Sequence, residues 1–193
     1  MRDPVLFYVI VGGLAGIWAA TWGWRRYRWY RASKAPFPEN WLTQVRKALP
    51  FYDHMPKSLQ EQLQAHIKQF LFSKKFVGCA GLVVTEEMRL TIAACASLLL
   101  LNRPTLNFRN VRWIYLYPAE FVVRHTVQDA AGVVSTEDGV LAGEAWHNGR
   151  VILSWDDVQQ GVFDFNDGRN VVLHEFAHQL DAESGAMNGA PLL

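Results

Sequence analysis

A chain of 193 residues, half of them hydrophobic, can close one core of its own, so a single globular domain is the default reading. The formal net charge is +1, but Arg2, Arg25, Arg26, Arg28, Arg31, Lys34 and Asp3 precede the bulk of the chain, leaving 13 basic against 17 acidic residues from Ala35 onward. That balance lacks the electrostatic footprint of a protein that wraps a phosphate backbone, which excludes direct nucleic-acid binding as an expected role.

Residues 5–24 carry no charge and run to about twenty positions, the length of α-helix that crosses a ~30 Å hydrocarbon core. The pattern predicts a transmembrane helix. Trp18, Trp22, Trp24, Tyr27, Trp29 and Tyr30 mark its exit, and Arg25, Arg26, Arg28, Arg31 and Lys34 follow with no acid among them. Positive residues beside a span stay on the cytoplasmic side, so the expected arrangement is a single-pass inner-membrane protein with its N-terminus outside and the remainder facing the cytoplasm. A cleaved signal peptide is the alternative, although its positive residues normally precede the apolar run. Gly12 and Gly16 form a G-x-x-x-G pair that would allow two such helices to pack closely. The chain thus divides into an anchor with its basic flank, residues 1–34, and a globular part, residues 35–193.

Residues 33–40, with Pro36 and Pro38, read as a linker, and the globular part is expected to start near Trp41. Ser58 and Glu61 make a capping box ahead of Leu59, Leu63, Ile67, Phe70 and Leu71, whose spacing places one apolar stripe on a helix. The two cysteines, Cys79 and Cys95, have no Cys-x-x-Cys spacing and are too few for a disulfide framework, which predicts buried free thiols. A second helix is predicted to begin near Thr85, with Glu86 and Glu87 at its positive end, and to run to Leu101 before Asn102 and Pro104. Glu87 and Arg89 make burial in protein a better account of it than a second membrane span.

Residues 111–123, broken at Pro118, and residues 151–155, after the turn signal Asn148-Gly149, predict strands. Residues 133–143 have the Gly, Ser, Thr and Asp content of a connection. The expected fold class is therefore α/β or α+β.

The chemistry concentrates in residues 170–181, NVVLHEFAHQLD, which place H-E-x-x-H inside an apolar-periodic segment with Asp167 available as the N-cap. Residues four apart share a helix face, so His174 and His178 can converge on one ion at roughly 2.0–2.1 Å. Glu175, about 100° around the helix, can lie beside that ion and accept a proton from a water the ion has acidified. The expected reaction is amide hydrolysis, with His174 and His178 as metal ligands and Glu175 as base. Asp181 stands one further turn along: it either accepts a hydrogen bond from an imidazole N–H or ends the helix in a solvated turn. The bland alternative for the triplet is two core histidines and a salt-bridged carboxylate. His54, His66, His125 and His147 are scattered; His147 alone precedes a strand that could lie near the site.

Three separated blocks, residues 76–101, 143–158 and 171–191, resemble the bacterial zinc peptidases of family M90, the Mlc titration factor A family. The resemblance implies a gluzincin-like domain over residues 35–193, with zinc held by His174 and His178 and Glu175 as catalytic base. It also implies aminopeptidase-type activity on peptides and, for some members, binding of the transcriptional repressor Mlc. The active-site helix is expected beneath a small sheet whose edge strand, placed at residues 151–154, could pair with an extended substrate. The family's third ligand is a glutamate on a later helix beyond the N-G-x-P stretch, residues 188–191. No residue of this chain matches it, and Glu183 lies too near the same helix end to replace it. The expectation is therefore an incomplete peptidase domain, with two other readings beside it: a binding module for an Mlc-type repressor, and an inactive truncated product.

Overall fold

The computed structural model describes residues 4–103, 108–119, 121–128, 134–141, 143–146, 149–165 and 167–183; for 4–7, 10 and 121–146 only backbone is considered. The chain divides into two units, Met1–Pro36 and Phe37–Leu193.

The first unit is a 31-residue helix, α1 (Pro4–Lys34). It covers the expected residues 5–24 and continues through the basic flank to Lys34, past the start of the expected linker, but the membrane assignment does not stand. Among the described residues no helix is long and apolar enough to cross a membrane. A single-pass inner-membrane protein with an outside N-terminus and a cytoplasm-facing domain is therefore not supported, nor is membrane partnership through this helix. Basic side chains then begin at Arg25 and continue to Lys34. Nothing lies within 4 Å of a Cβ built on Gly12 or Gly16.

The second unit is mixed α/β. It opens with α2 (Glu39–Ala48), a 3-10 turn at Tyr52–His54 and α3 (Lys57–Ser73). There follow β1 (Lys75–Gly78), α4 (Glu86–Leu98), β2 (Trp113–Tyr117), β3 (Phe121–Gln128), β4 (Val134–Leu141), β5 (Gly143–Trp146) and β6 (Arg150–Ser154). The last elements are α5 (Trp155–Phe163) and α6 (Val171–Glu183).

Four strands form one sheet in the order β1-β2-β6-β5. The first three are parallel, with Lys75 opposite Trp113 and Trp113 opposite Arg150, whereas β5 runs antiparallel to β6 with Gly143 opposite Leu153. Parallel neighbours need a crossover, and α4 lies on the one between β1 and β2. Ile114 and Leu116 of β2, with Val151 and Leu153 of β6, are buried in the core alongside α3, α4 and α6. Residues 151–154 therefore belong to an interior strand. The edge strand on that side is β5, which precedes β6 in the chain, pairs antiparallel with it and stands last in the order.

A separate two-stranded ladder joins β3 to β4, so residues 134–141 are strand and not the connection their composition suggested. Pairing along the whole of β3 outweighs the modest strand preference of Ser135, Asp138 and Gly139.

Both predicted helices form, with different ends. Thr85 caps α4 by accepting from Met88 N–H at 3.2 Å, and residues 90–97 are all buried, as an all-round apolar helix requires. The helix stops at Leu98; the next residues tighten into i→i+3 bonds and Asn102 turns left-handed at φ 58°. In α3 the capping box is unused: the helix starts at Lys57 behind Pro56, whose fixed φ suits that entry, and no side chain caps it. Leu63, Ile67 and Phe70 still face the core.

Candidate metal centre

The H-E-x-x-H segment lies on α6, which packs against β5, β6, α4 and α5. Its buried side is Val171, Val172, Glu175, Phe176, Gln179, Leu180 and Asp181. Phe176 fixes that side in an aromatic cluster, with ring centroids 4.7 Å from Phe108 and 5.4 Å from Phe70. With Phe176 held, the helical period turns His174 and His178 outward, and both are exposed.

The two rings meet. Their Nε2 atoms are 3.1 Å apart, with centroids 4.6 Å apart and planes at 87°. Two nitrogens bound to one tetrahedral zinc at roughly 2.0–2.1 Å each stand about 3.3 Å from one another, so the pair is already spaced for a shared cation. The same gap suits a single proton held between the rings; which nitrogen carries it depends on the tautomer. The residues present therefore fit a metal as two of its ligands. Among the described residues no group of three or more His, Cys, Asp or Glu side chains could hold an ion.

Glu175 is 5% exposed, on the inner side of α6, and is engaged by the fold. Asp181 is also buried and partnered, and the helix continues past it to Glu183. Glu183 itself is used structurally: its Oε1 accepts from Arg109 N–H at 2.5 Å. The same segment is held by Lys74, whose buried ammonium donates to the carbonyls of Phe108 and Val111. Burial lowers the Lys74 ammonium to about 8, and the charge of Glu183 opposes that shift.

The N-terminal end of α6 is fixed by a residue other than the one expected. Asp167 accepts from Arg169 N–H in a local turn at 2.7 Å, and Asn170 is the cap, its Oδ1 accepting from Leu173 N–H at 3.0 Å. The signal was available, since Asn170 immediately precedes the first apolar residue of the run. Lys74 had none: its burial depends on carbonyls more than thirty residues away.

Of the other histidines, His54 is exposed and His66 buried in α3, neither in a ligand group, while the side chains of His125 and His147 lie outside the described residues. So does the N-G-x-P stretch at 188–191, beyond which the resemblance places a third ligand.

Comparison with known proteins gives the same direction. An uncharacterized protein of Synechocystis sp. is 39% identical over 189 residues, covering 96% of this chain and 69% of its own length. Mlc titration factor A of Yersinia pestis and that of Yersinia pseudotuberculosis are each 30% identical over 167 residues. This chain spans 61% of their length, and 85% of it is matched. The family model described as "Glucose-regulated metallo-peptidase M90" matches residues 21–193. A metallopeptidase family implies a metal cofactor, and among the described residues the outward pair on α6 brings two imidazole nitrogens together. The chain belongs to the glucose-regulated metallo-peptidase M90 family.

Proposed function

We propose that this chain carries the metal-binding and proton-transfer part of a zinc peptidase of the gluzincin kind, acting on peptides in the aminopeptidase manner. The observation that supports it is the pair of Nε2 atoms, 3.1 Å apart on the exposed face of α6, with Glu175 between them in sequence. His174 and His178, as neutral imidazoles, would hold the zinc. Bound there, zinc supplies Lewis-acid polarisation of a carbonyl and acidifies water. The third ligand and the activity of the whole protein are part of the proposal, because the chain spans 61% of the titration factors it matches.

The chain's own residues divide the remaining work. Glu175 takes the proton released as water attacks the peptide carbonyl and passes it to the departing amine. An extended substrate can add to the free side of β5, the edge strand beside α6, through main-chain hydrogen bonds.

Glu175→Gln keeps the shape and removes the base. Cleavage of a fluorogenic peptide should fall by about 10²–10⁴-fold while zinc still binds. His174→Ala should lose both. Undiminished cleavage by the glutamine variant removes Glu175 from the mechanism.

A second reading is favoured by the 30% identity to proteins named Mlc titration factor A. In it the chain captures an Mlc-type repressor, and the peptide chemistry is secondary. Capture of such a repressor by the His174→Ala form as well as by the native chain would favour that role; capture by neither discards it.

A further inference from the structure

His174 is the first histidine of the pair, and its backbone N–H bonds to Asn170 O at 3.0 Å, so Asn170 sits one turn beneath it. The Asn170 side chain is 8% exposed and both ends of its amide are used. Oδ1 accepts from Leu173 N–H at 3.0 Å, while Nδ2 donates to Gly161 O at 3.1 Å in α5 and lies 3.8 Å from Cys95 Sγ in α4. The approach of α5 is close enough to require glycine: a Cβ at position 161 would stand 2.8 Å from Asn170 Cα and 3.2 Å from Arg169 O.

An N-cap alone needs only an acceptor, which serine, threonine or aspartate supplies equally well. Asparagine adds a donor of the same reach, and here the donor crosses to two other helices. A helix tied to its neighbours at one point near its start can neither rotate about its axis nor slide along it without breaking that tie.

We propose that Asn170 is the positioning residue of the His174–His178 pair: with Phe176 holding the inner face of α6, one amide ties the helix start to α5 and α4 and completes the setting of the rotation and height at which the two Nε2 atoms meet. This rests on the zinc reading for its chemistry, though not for its geometry. Ligand pairs must be held to within about 0.5 Å to bind well.

The test uses the full chain with two substitutions. Asn170→Asp keeps the cap and replaces the donor with an acceptor facing the Gly161 carbonyl; Asn170→Ser keeps the cap and loses the reach. Thr85→Ala, which removes the cap of α4, is the control for stability alone. Three quantities are read: zinc affinity by chelator competition, imidazole ¹⁵N shifts of His174 and His178 in the metal-free chain, and melting temperature. Both Asn170 variants should lose zinc affinity relative to the native chain and show displaced imidazole shifts, including Asn170→Asp with its helix cap intact. Thr85→Ala should lower the melting temperature and leave the other two quantities at native values. Native affinity and native shifts in the Asn170 variants overturn the inference. If the native chain and His174→Ala bind zinc equally, the zinc reading fails, and the metal-free shifts alone decide: displaced in the Asn170 variants, the positioning role stands; unmoved, it falls.

Discussion

Lys74 shows how a single charge can set a pH dependence. Its folded-state value of about 8 lies below the ordinary 10.5, because burial penalises the ammonium. Between those values the unfolded chain binds more protons than the folded one, so the lysine's contribution to stability rises with pH from about 8 and is complete above about 10.5. Its full size is at most about 3 kcal/mol. Cys95 acts in the opposite sense above pH 9: burial pushes its thiol up to about 12, with smaller opposing hydrogen bonds from Asn170 and the backbone. The window from pH 8 to 9 therefore isolates the lysine. In urea titrations, the stability of the native chain minus that of Lys74→Met should increase across that window; a flat difference refutes the assignment. The same burial argument orders the thiols. Cys95 is fully buried and Cys79 half-exposed, so a thiol reagent should label Cys79 first and reach Cys95 only on unfolding. At this scale the histidine pair was legible because residue identity and helical spacing carry it. Lys74, next to exposed Lys75, was not, because its partners come from the distant segment of Phe108 and Val111.

Among the elements, ends and close approaches are where substitution tells most. Thr85 caps α4 and Ser58 caps nothing, so Thr85→Ala should cost about 1 kcal/mol by chemical denaturation. Ser58→Ala should stay within about 0.5 kcal/mol of native. Gly161→Ala forces its Cβ against the backbone of Asn170 and should cost about 1–3 kcal/mol. Gly149, at φ 76° with a Cβ site 2.6 Å from Asn110 O, tolerates alanine no better. Helices with an apolar period and a cap, such as α4, could be read from the sequence. The edge position of β5 could not, because strand order depends on which distant segments pair, and β4 was masked by a composition that fits turns. Helix α5 carried a readable signal that was passed over: Ser154 Oγ accepts from Asp157 N–H, an ordinary cap.

At the scale of the molecule, the mixed α/β class was legible from the alternation of helical and strand-like runs, and the family from three separated blocks. The membrane reading of residues 5–24 did not carry over: among the described residues no helix is long and apolar enough to cross a membrane. Met1–Pro36 and Phe37–Leu193 are two compact units. Removing residues 1–36 should therefore leave a single cooperative unfolding transition with the same midpoint, measured by circular dichroism; a lost or broadened transition would show that the second unit depends on the first.

The parallel ladder has a bearing on when the histidines can act. Each of its two pairings joins residues about forty positions apart, the kind of topology that assembles slowly because long loops must close before anything is gained. The thirteen residues of α6 are too few to hold a helix by themselves in water. A peptide copy of that segment should stay largely unstructured and grip ions poorly, and a refolding chain should acquire its affinity for them only in the slow, final kinetic phase.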